Sequence, residues 1–169
     1  NLEFARKEME AEVGWTILSI LPLAHMFGQA FDFIFPFSKG CHIYIFNVKP
    51  TPARLIAALA EVKPFMFLTV PLVVEKIFRS KVMPTLEKPL MKFLMAIPGV
   101  RSLLLNKICK KLVATFGGNV SIGGLILGGA AINKEVEQLM HEMKFPYLVG
   151  YGMTECAPLI GYRGWRNFV

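Results

Sequence analysis

Cysteine is scarce in this chain, and what little there is excludes two kinds of site. The 169 residues hold three, Cys41, Cys109 and Cys156, at separations that suit neither a zinc site nor a paired disulfide framework. They read as reduced thiols of an intracellular, cytoplasmic protein. Internal repeats and low-complexity runs are also missing, which removes solenoid and linker architectures. No apolar stretch runs unbroken for the length of a bilayer. The longest candidate, Val13 to Phe37, is interrupted by Pro22, His25, Gln29 and Asp32, the single aspartate among 12 acidic residues. A carboxylate there would be costly in hydrocarbon, so a membrane span is not expected.

What is present suits one folded domain with a sizeable core. Hydrophobic residues make up 54% and charged residues 18%. The mean hydropathy of +0.48 is high for a soluble domain, which is expected if part of the apolar surface is covered by other parts of a larger protein.

The positive charge is local. From Lys76 to Lys111 nine cations face Glu87 alone, a balance of +8; the chain as a whole carries +7, which leaves −1 for the remainder. Leu105, Ile108, Cys109, Leu112, Val113 and Phe116 fall on one helical face, with Lys107, Lys110 and Lys111 opposite. The face reads as a solvated surface, as a contact with the phosphates of a ligand, or as a peripheral contact with the anionic inner face of a membrane. Nucleic acid fits less well, because no aromatic stacking platforms are interleaved with the lysines.

Strand and helix signals alternate. Residues 2–12 suggest a charged surface helix, Trp15 to Leu21 a buried strand, His25 to Phe37 an aromatic-rich helix, and Cys41 to Phe46 a second strand. Thr51 and Pro52 open a helix whose core face is Leu55, Ile56, Leu59 and Val62. Pro64 stops it, Phe65 to Val70 form a strand, and Pro71 starts a helix to about Arg79. Such alternation predicts an α/β fold: a mostly parallel sheet with helices on both faces.

Two glycine-bearing segments carry the chemistry. Leu125-Ile126-Leu127 runs into Gly128-Gly129-Ala130-Ala131-Ile132, and Asn133 caps a helix with Val136, Leu139, Met140 and Met143 on its buried face. Pro146 to Glu155 then packs an apolar strand ending at Leu148 and Val149, a turn with Gly150 and Gly152, and Tyr151, Thr154 and Glu155. Glycine allows a turn or a close approach to a ligand. Tyr151 offers a flat face for an adenine ring, Thr154 a hydroxyl for a phosphate oxygen, and Glu155 a carboxylate for Mg²⁺, which usually takes one or two beside phosphates.

These segments, with Leu21-Pro22-Leu23-Ala24-His25 upstream, resemble the three ordered motifs of the adenylate-forming superfamily: acyl-CoA synthetases, luciferases and nonribosomal-peptide adenylation domains. The likeness spans essentially all of residues 1–169. Within the superfamily it is closest in wording to long-chain fatty acid:CoA ligases, on the histidine motif, the Tyr-Gly-Met-Thr-Glu-Cys-Ala-Pro stretch and the lysine-rich segment.

The resemblance implies that Gly129, Ala130 and Ala131 line adenine and acyl pockets, that Tyr151 and Gly152 pack on the adenine, that Thr154 contacts the α-phosphate, that Glu155 ligates Mg²⁺, and that His25 lies near the phosphates or the substrate carboxylate. It implies ATP (leaving as AMP), Mg²⁺, a fatty acid and coenzyme A. A lone histidine can also serve as a satisfied core residue at a strand end, and Cys156, beside the candidate metal ligand, is expected to pack rather than react.

Other parts of the family pattern are not found. The phosphate loop is absent, Asn1-Leu2 look like the pair that follows it, and Asp32 is far upstream of the family's ribose aspartate. The small C-terminal domain with its catalytic lysine would follow Val169. The expectation is an internal piece of the large N-terminal domain, inactive alone. A fatty acyl-AMP ligase, an aryl or medium-chain synthetase, and a non-catalytic lipid- or protein-binding module are the other readings.

Overall fold

The computed structural model describes residues 1–9, 11–97, 99–120 and 124–164. Its framework is a sheet in two hydrogen-bonded parts. Strands β1 (Thr16–Ser19) and β2 (His42–Ile45) pair in parallel. Strands β3 (Phe67–Thr69), β4 (Leu125–Leu127), β5 (Tyr147–Gly152) and β6 (Leu159–Gly164) form the second part, parallel except for the β5–β6 pair. One parallel bridge, Ile17 to Met66, and the Phe65 N–H to Thr16 carbonyl bond at 3.0 Å set β1 beside β3. The strand order is therefore β2-β1-β3-β4-β5-β6.

Helices cover both faces, as the alternating pattern predicts. On one face Leu18, Phe67, Leu125, Leu127 and Tyr147 point into a core closed by α3 (Pro52–Val62), α4 (Pro71–Lys81), α7 (Val100–Thr115) and α8 (Lys134–Glu142). On the other, the alternate residues Ile17, Met66, Leu68 and Ile126 meet Ala5 of α1 (Leu2–Glu8) and Ala30, Phe31 and Phe35. This is the period-2 alternation of strand side chains. Ring contacts at 5.8–6.3 Å link Phe67, Phe116, Phe145 and Phe78 through the larger core. Between α4 and α7 lie two short helices, α5 (Met83–Leu86) and α6 (Pro89–Met95).

Local chemistry sets the helix starts. Thr51 Oγ1 accepts the Arg54 N–H at 3.4 Å, and prolines open α3, α4 and α6, where a missing N–H costs nothing. Lys63, at φ 49°, ends α3 in the left-handed region before Pro64. On α7, Leu105, Cys109 and Leu112 are buried while Lys107, Lys110 and Lys111 are exposed, as the periodicity predicts.

Several boundaries differ from the sequence reading. The first helix ends at Glu8, because Met9 is already extended, and its Ala5 is fully buried, so it is not a pure surface helix. The aromatic-rich helix is π-wound over Gly28–Ile34 before passing into α2 (Phe35–Ser38), a wider turn often found at functional sites. Strand β2 is an exposed edge, with Tyr44 and Ile45 facing out. Among the described residues no helix is long and apolar enough to cross a membrane.

Candidate functional site

The site gathers at the carboxyl ends of β1, β4 and β5, where parallel sheets place ligand crevices. At the end of β4 the Gly128 N–H donates to the Thr69 carbonyl at 3.2 Å, holding the turn against β3. Gly129, at φ +84°, favours glycine, and a Cβ on Gly128 would sit 2.8 Å from the ring of Phe27, so a side chain there would push that ring aside. Ala130 and Ala131 are exposed beyond it, and Ile132 returns to the core. Asn133 Oδ1 accepts the N–H groups of Glu135 and Val136 and so starts α8; its own N–H donates to Glu75 at 2.9 Å.

The second glycine segment is built differently from expectation. The strand does not stop at Val149; β5 continues through Gly152, and the turn is the single 3₁₀ turn Thr154–Cys156. Gly152 is needed because a side chain there would collide with the Pro158 carbonyl, and a Cβ on Gly150 would press within 3.3 Å of the Leu159 side chain. These glycines make room for β6 and also line the clefts described below. The pairing slips between Tyr151 and Gly152, which turns the strand end outward. Tyr151 is 67% exposed, and Thr154 and Glu155 are exposed beside it.

Asn1 clasps this turn from the far end of the chain. Its Nδ2 donates to the Cys156 carbonyl at 2.8 Å and its Oδ1 accepts the Leu159 N–H at 2.6 Å. Cys156 is exposed, which corrects the expectation that it packs; its backbone is what the fold uses. Cys109 is buried and Cys41 half-buried, and burial pushes both thiols up.

Two clefts share the Gly129–Tyr151 wall. The smaller, about 160 Å³, is lined by His25, Gly128, Gly129, Tyr151, Gly152 and Thr154. The larger, about 700 Å³, is lined by Gly129, Ala130, Ala131, Tyr151, Glu137 and Arg163. The structure thus brings together every sequence-predicted site residue except Glu155, which is next to Thr154 on the turn but lines neither cleft. His25 is exposed and not a core histidine; its Nδ1 accepts the Phe27 N–H at 3.2 Å, so the neutral ring carries its proton on Nε2. A third cavity, apolar and about 100 Å³, lies on the opposite face of the sheet between Phe4, Phe27, Phe31, Ile126 and Leu148. It shares Phe27, Gly150 and Leu159 with the small cleft.

The wall of the larger cleft contains a polar group that sequence reasoning missed. Glu137 is nearly buried on α8, paired with Arg163 of β6 at 2.6 Å, and it accepts the Tyr147 hydroxyl at 3.5 Å. Burial, and then the Glu137 charge, push Tyr147 up to about 12. The three come from α8, β5 and β6, and no local spacing links them. For a metal, no group of three His, Cys, Asp or Glu is gathered among the described residues. The donor set fits Mg²⁺ only as one carboxylate, Glu155, with phosphates supplying the rest.

Residues 2–167 match the family model described as AMP-binding enzyme. Long-chain-fatty-acid–CoA ligase 4 of Saccharomyces cerevisiae is 30% identical over 170 residues, covering 85% of this chain and 23% of the yeast protein. Among solved structures, apo MatB from Rhodopseudomonas palustris superposes with TM-score 0.66 at 14% identity, over all of this chain and 27% of that one. The o-succinylbenzoate CoA synthetase of Bacillus subtilis, in complex with its acyl-adenylate intermediate, gives 0.64 at 15% identity, over 98% and 26%. At such identities the likeness carries the fold. This chain spans about a quarter of the length of each of these relatives.

Proposed function

This chain belongs to the AMP-binding enzymes, and from that premise we propose that it forms part of the adenylation site of an ATP-dependent long-chain fatty acid:CoA ligase. The observation that carries the reading is the small cleft, where His25, Gly129, Tyr151 and Thr154 converge from three strand ends.

In this reading the exposed Tyr151 ring stacks on adenine, above the wall made by Gly129, Ala130 and Ala131. Thr154 donates its hydroxyl to an α-phosphate oxygen, and the Nε2 proton of His25 faces the phosphates or the fatty acid carboxylate. A carboxylate oxygen of the fatty acid attacks the α-phosphorus as the bond to pyrophosphate breaks, giving acyl-AMP. The sulfur of coenzyme A then attacks the acyl carbon, AMP leaves, and the thiol proton passes to solvent. Glu155 is the residue that would hold Mg²⁺. When bound, the ion neutralises phosphate charge during the transfer. Positioning and charge neutralisation dominate such a step.

The acyl chain is assigned to the apolar cavity, because that cavity meets the small cleft at Phe27 and Gly150. Phe27 and Phe31 line it, whereas Phe35 is in the core and Phe33 stacks outward on Phe37. The first two therefore set the room available.

A peripheral contact with anionic membrane is favoured by α6. Leu90 is 71% and Phe93 67% exposed, one turn apart, next to Lys88 and Lys92. Among the described residues the only ion pair of the basic segment is Arg101 with Glu142.

ATP–pyrophosphate exchange with palmitate in the protein at its natural length tests the reading. Exchange that depends on fatty acid supports it; exchange driven only by amino or aryl acids would replace it. Residues 1–169 alone are proposed inactive, since the candidate side chains His25, Tyr151, Thr154 and Glu155 are all exposed, so the cleft does not exclude water.

A further inference from the structure

The single aspartate of the chain is fully buried, on the π-wound segment. Its Oδ2 accepts the backbone N–H groups of Ile20 at 3.0 Å and Leu21 at 3.2 Å, the two residues that follow β1. The Ser19 hydroxyl bonds the same carboxyl, while Oδ1 has no donor among the described residues. The surroundings on this face are apolar: Ile17, Phe31, Phe35 and Leu68. The titratable groups on neighbouring elements are Glu3, Arg6 and Lys7 on α1, His25 on the loop and His42 on β2, all exposed, and Lys39 and Cys41 after α2, half-buried, Lys39 with its Nζ on the Arg6 carbonyl; none perturbs the carboxyl.

A buried, unpaired carboxylate is expensive, and its retention calls for a purpose. What it grips is the start of the run Leu21–His25. The far side of that run is tied as well: the Pro22 carbonyl accepts the His25 N–H at 2.9 Å, and Gly28 packs so close to it that a Cβ would stand 2.7 Å away. The loop is held at Leu21 by Asp32, and the Pro22 carbonyl is bonded directly to His25.

We propose that Asp32 is a positioning residue, whose carboxylate pins the loop after β1 so that His25 is delivered to the cleft it shares with Thr154. The proposal rests on the adenylation reading given above. Desolvation by burial raises the Asp32 carboxyl to about 6, against the pull of the three hydrogen bonds. Charge-assisted bonds are the stronger ones, so the grip on Ile20 and Leu21 weakens as pH falls through that value.

The test uses the protein at its natural length. Asp32→Asn keeps the size and an acceptor oxygen but carries no charge at any pH. In pyrophosphate exchange kcat should fall about tenfold with KM for ATP within about twofold, as expected of a misplaced group rather than a lost contact. The acid limb near pH 6 should flatten. In parallel, the ring signal of ¹³C-labelled His25, identified by its loss in His25→Asn, should show a second step near pH 6 that Asp32→Asn abolishes. Ser19→Ala removes a hydrogen bond that holds the carboxyl down, so it should move both the limb and the step to higher pH.

An unchanged acid limb and His25 signal in both variants would overturn the proposal, whatever happened to kcat. Absence of exchange in the wild type would instead sink the adenylation reading; the two failures are told apart because the His25 step does not depend on turnover.

Discussion

Asn1 Oδ1 and the Leu159 N–H meet at 2.6 Å across 158 positions of sequence, and the other end of the same amide holds the Cys156 carbonyl. One side chain therefore fixes both flanks of the turn that carries Thr154 and Glu155. Asn1→Ala should lower the adenylation rate about tenfold, while the melting temperature changes little, since exposed hydrogen bonds contribute roughly 1 kcal/mol or less each. Exchange kinetics beside a thermal melt checks this; a large loss of stability at full activity would contradict it.

Glu155→Gln keeps the shape and removes the charge that would hold Mg²⁺. Single-turnover acyl-AMP formation should slow by about a hundredfold, with fatty acid binding nearly intact. Thr154→Val should act in the same direction, less severely. A rate within threefold of wild type would reassign the carboxylate to a structural role.

Phe27 lines both the apolar cavity and the small cleft, and is only half-buried. Phe27→Ala should shift kcat/KM toward longer or bulkier acids across a series from octanoate to stearate. Phe33→Ala, on the outward stack with Phe37, should leave the profile unchanged. Equal profiles for the two variants would remove the acyl assignment.

If the basic segment meets a membrane, the protein should sediment with anionic vesicles and less so as salt rises, because charges are screened within about 8 Å at physiological ionic strength. Reversal of Lys107, Lys110 and Lys111 to Glu should abolish binding, at roughly 1 kcal/mol per cation near the surface. Leu90→Ser with Phe93→Ser should weaken it independently. Indifference to lipid charge and salt would leave an ordinary solvated face.

Tyr147 gives a signature at alkaline pH. Its folded value is raised to about 12 from 10, so the folded protein holds this proton more tightly than the unfolded chain. The stabilisation is complete below pH 10 and is lost as pH rises from 10 toward 12. Tyr147→Phe should remove that component from melts taken across the interval. Identical alkaline slopes for the two proteins would show that the hydroxyl ionises freely.

The parts of this fold that were legible in the sequence are those whose cause is local. Thr51-Pro52, Pro64, Pro71 and Asn133 mark element ends through their own backbone chemistry, and the core faces of α7 and α8 follow from helical period. The convergence of Gly129, Tyr151 and Thr154 was legible because the strand–turn pattern puts both segments at strand ends, whereas the place of His25 followed only from the family resemblance. What was not legible depends on partners remote in sequence. That Gly152 also makes room for the Pro158 carbonyl was not legible, because nothing nearby reveals that Pro158 folds back onto it. The Asn1 clasp and the Glu137–Arg163 pair span 158 and 26 positions. The π winding also escapes a reading by 3.6-residue period, since a widened turn shifts every later side chain.

The ladder between β1 and β3 is reduced to one bridge, Ile17 with Met66, and one backbone bond beside it. His25 hangs from the β1 side of this seam; Gly129, Tyr151 and Thr154 hang from the other. The two walls of the cleft thus belong to separately laddered halves, joined chiefly by the side chains packed beneath them. Mechanically, the spacing between histidine and threonine is a property of core packing, and a substitution at Ile17 or Met66, well below the cleft, would alter its width without touching either wall.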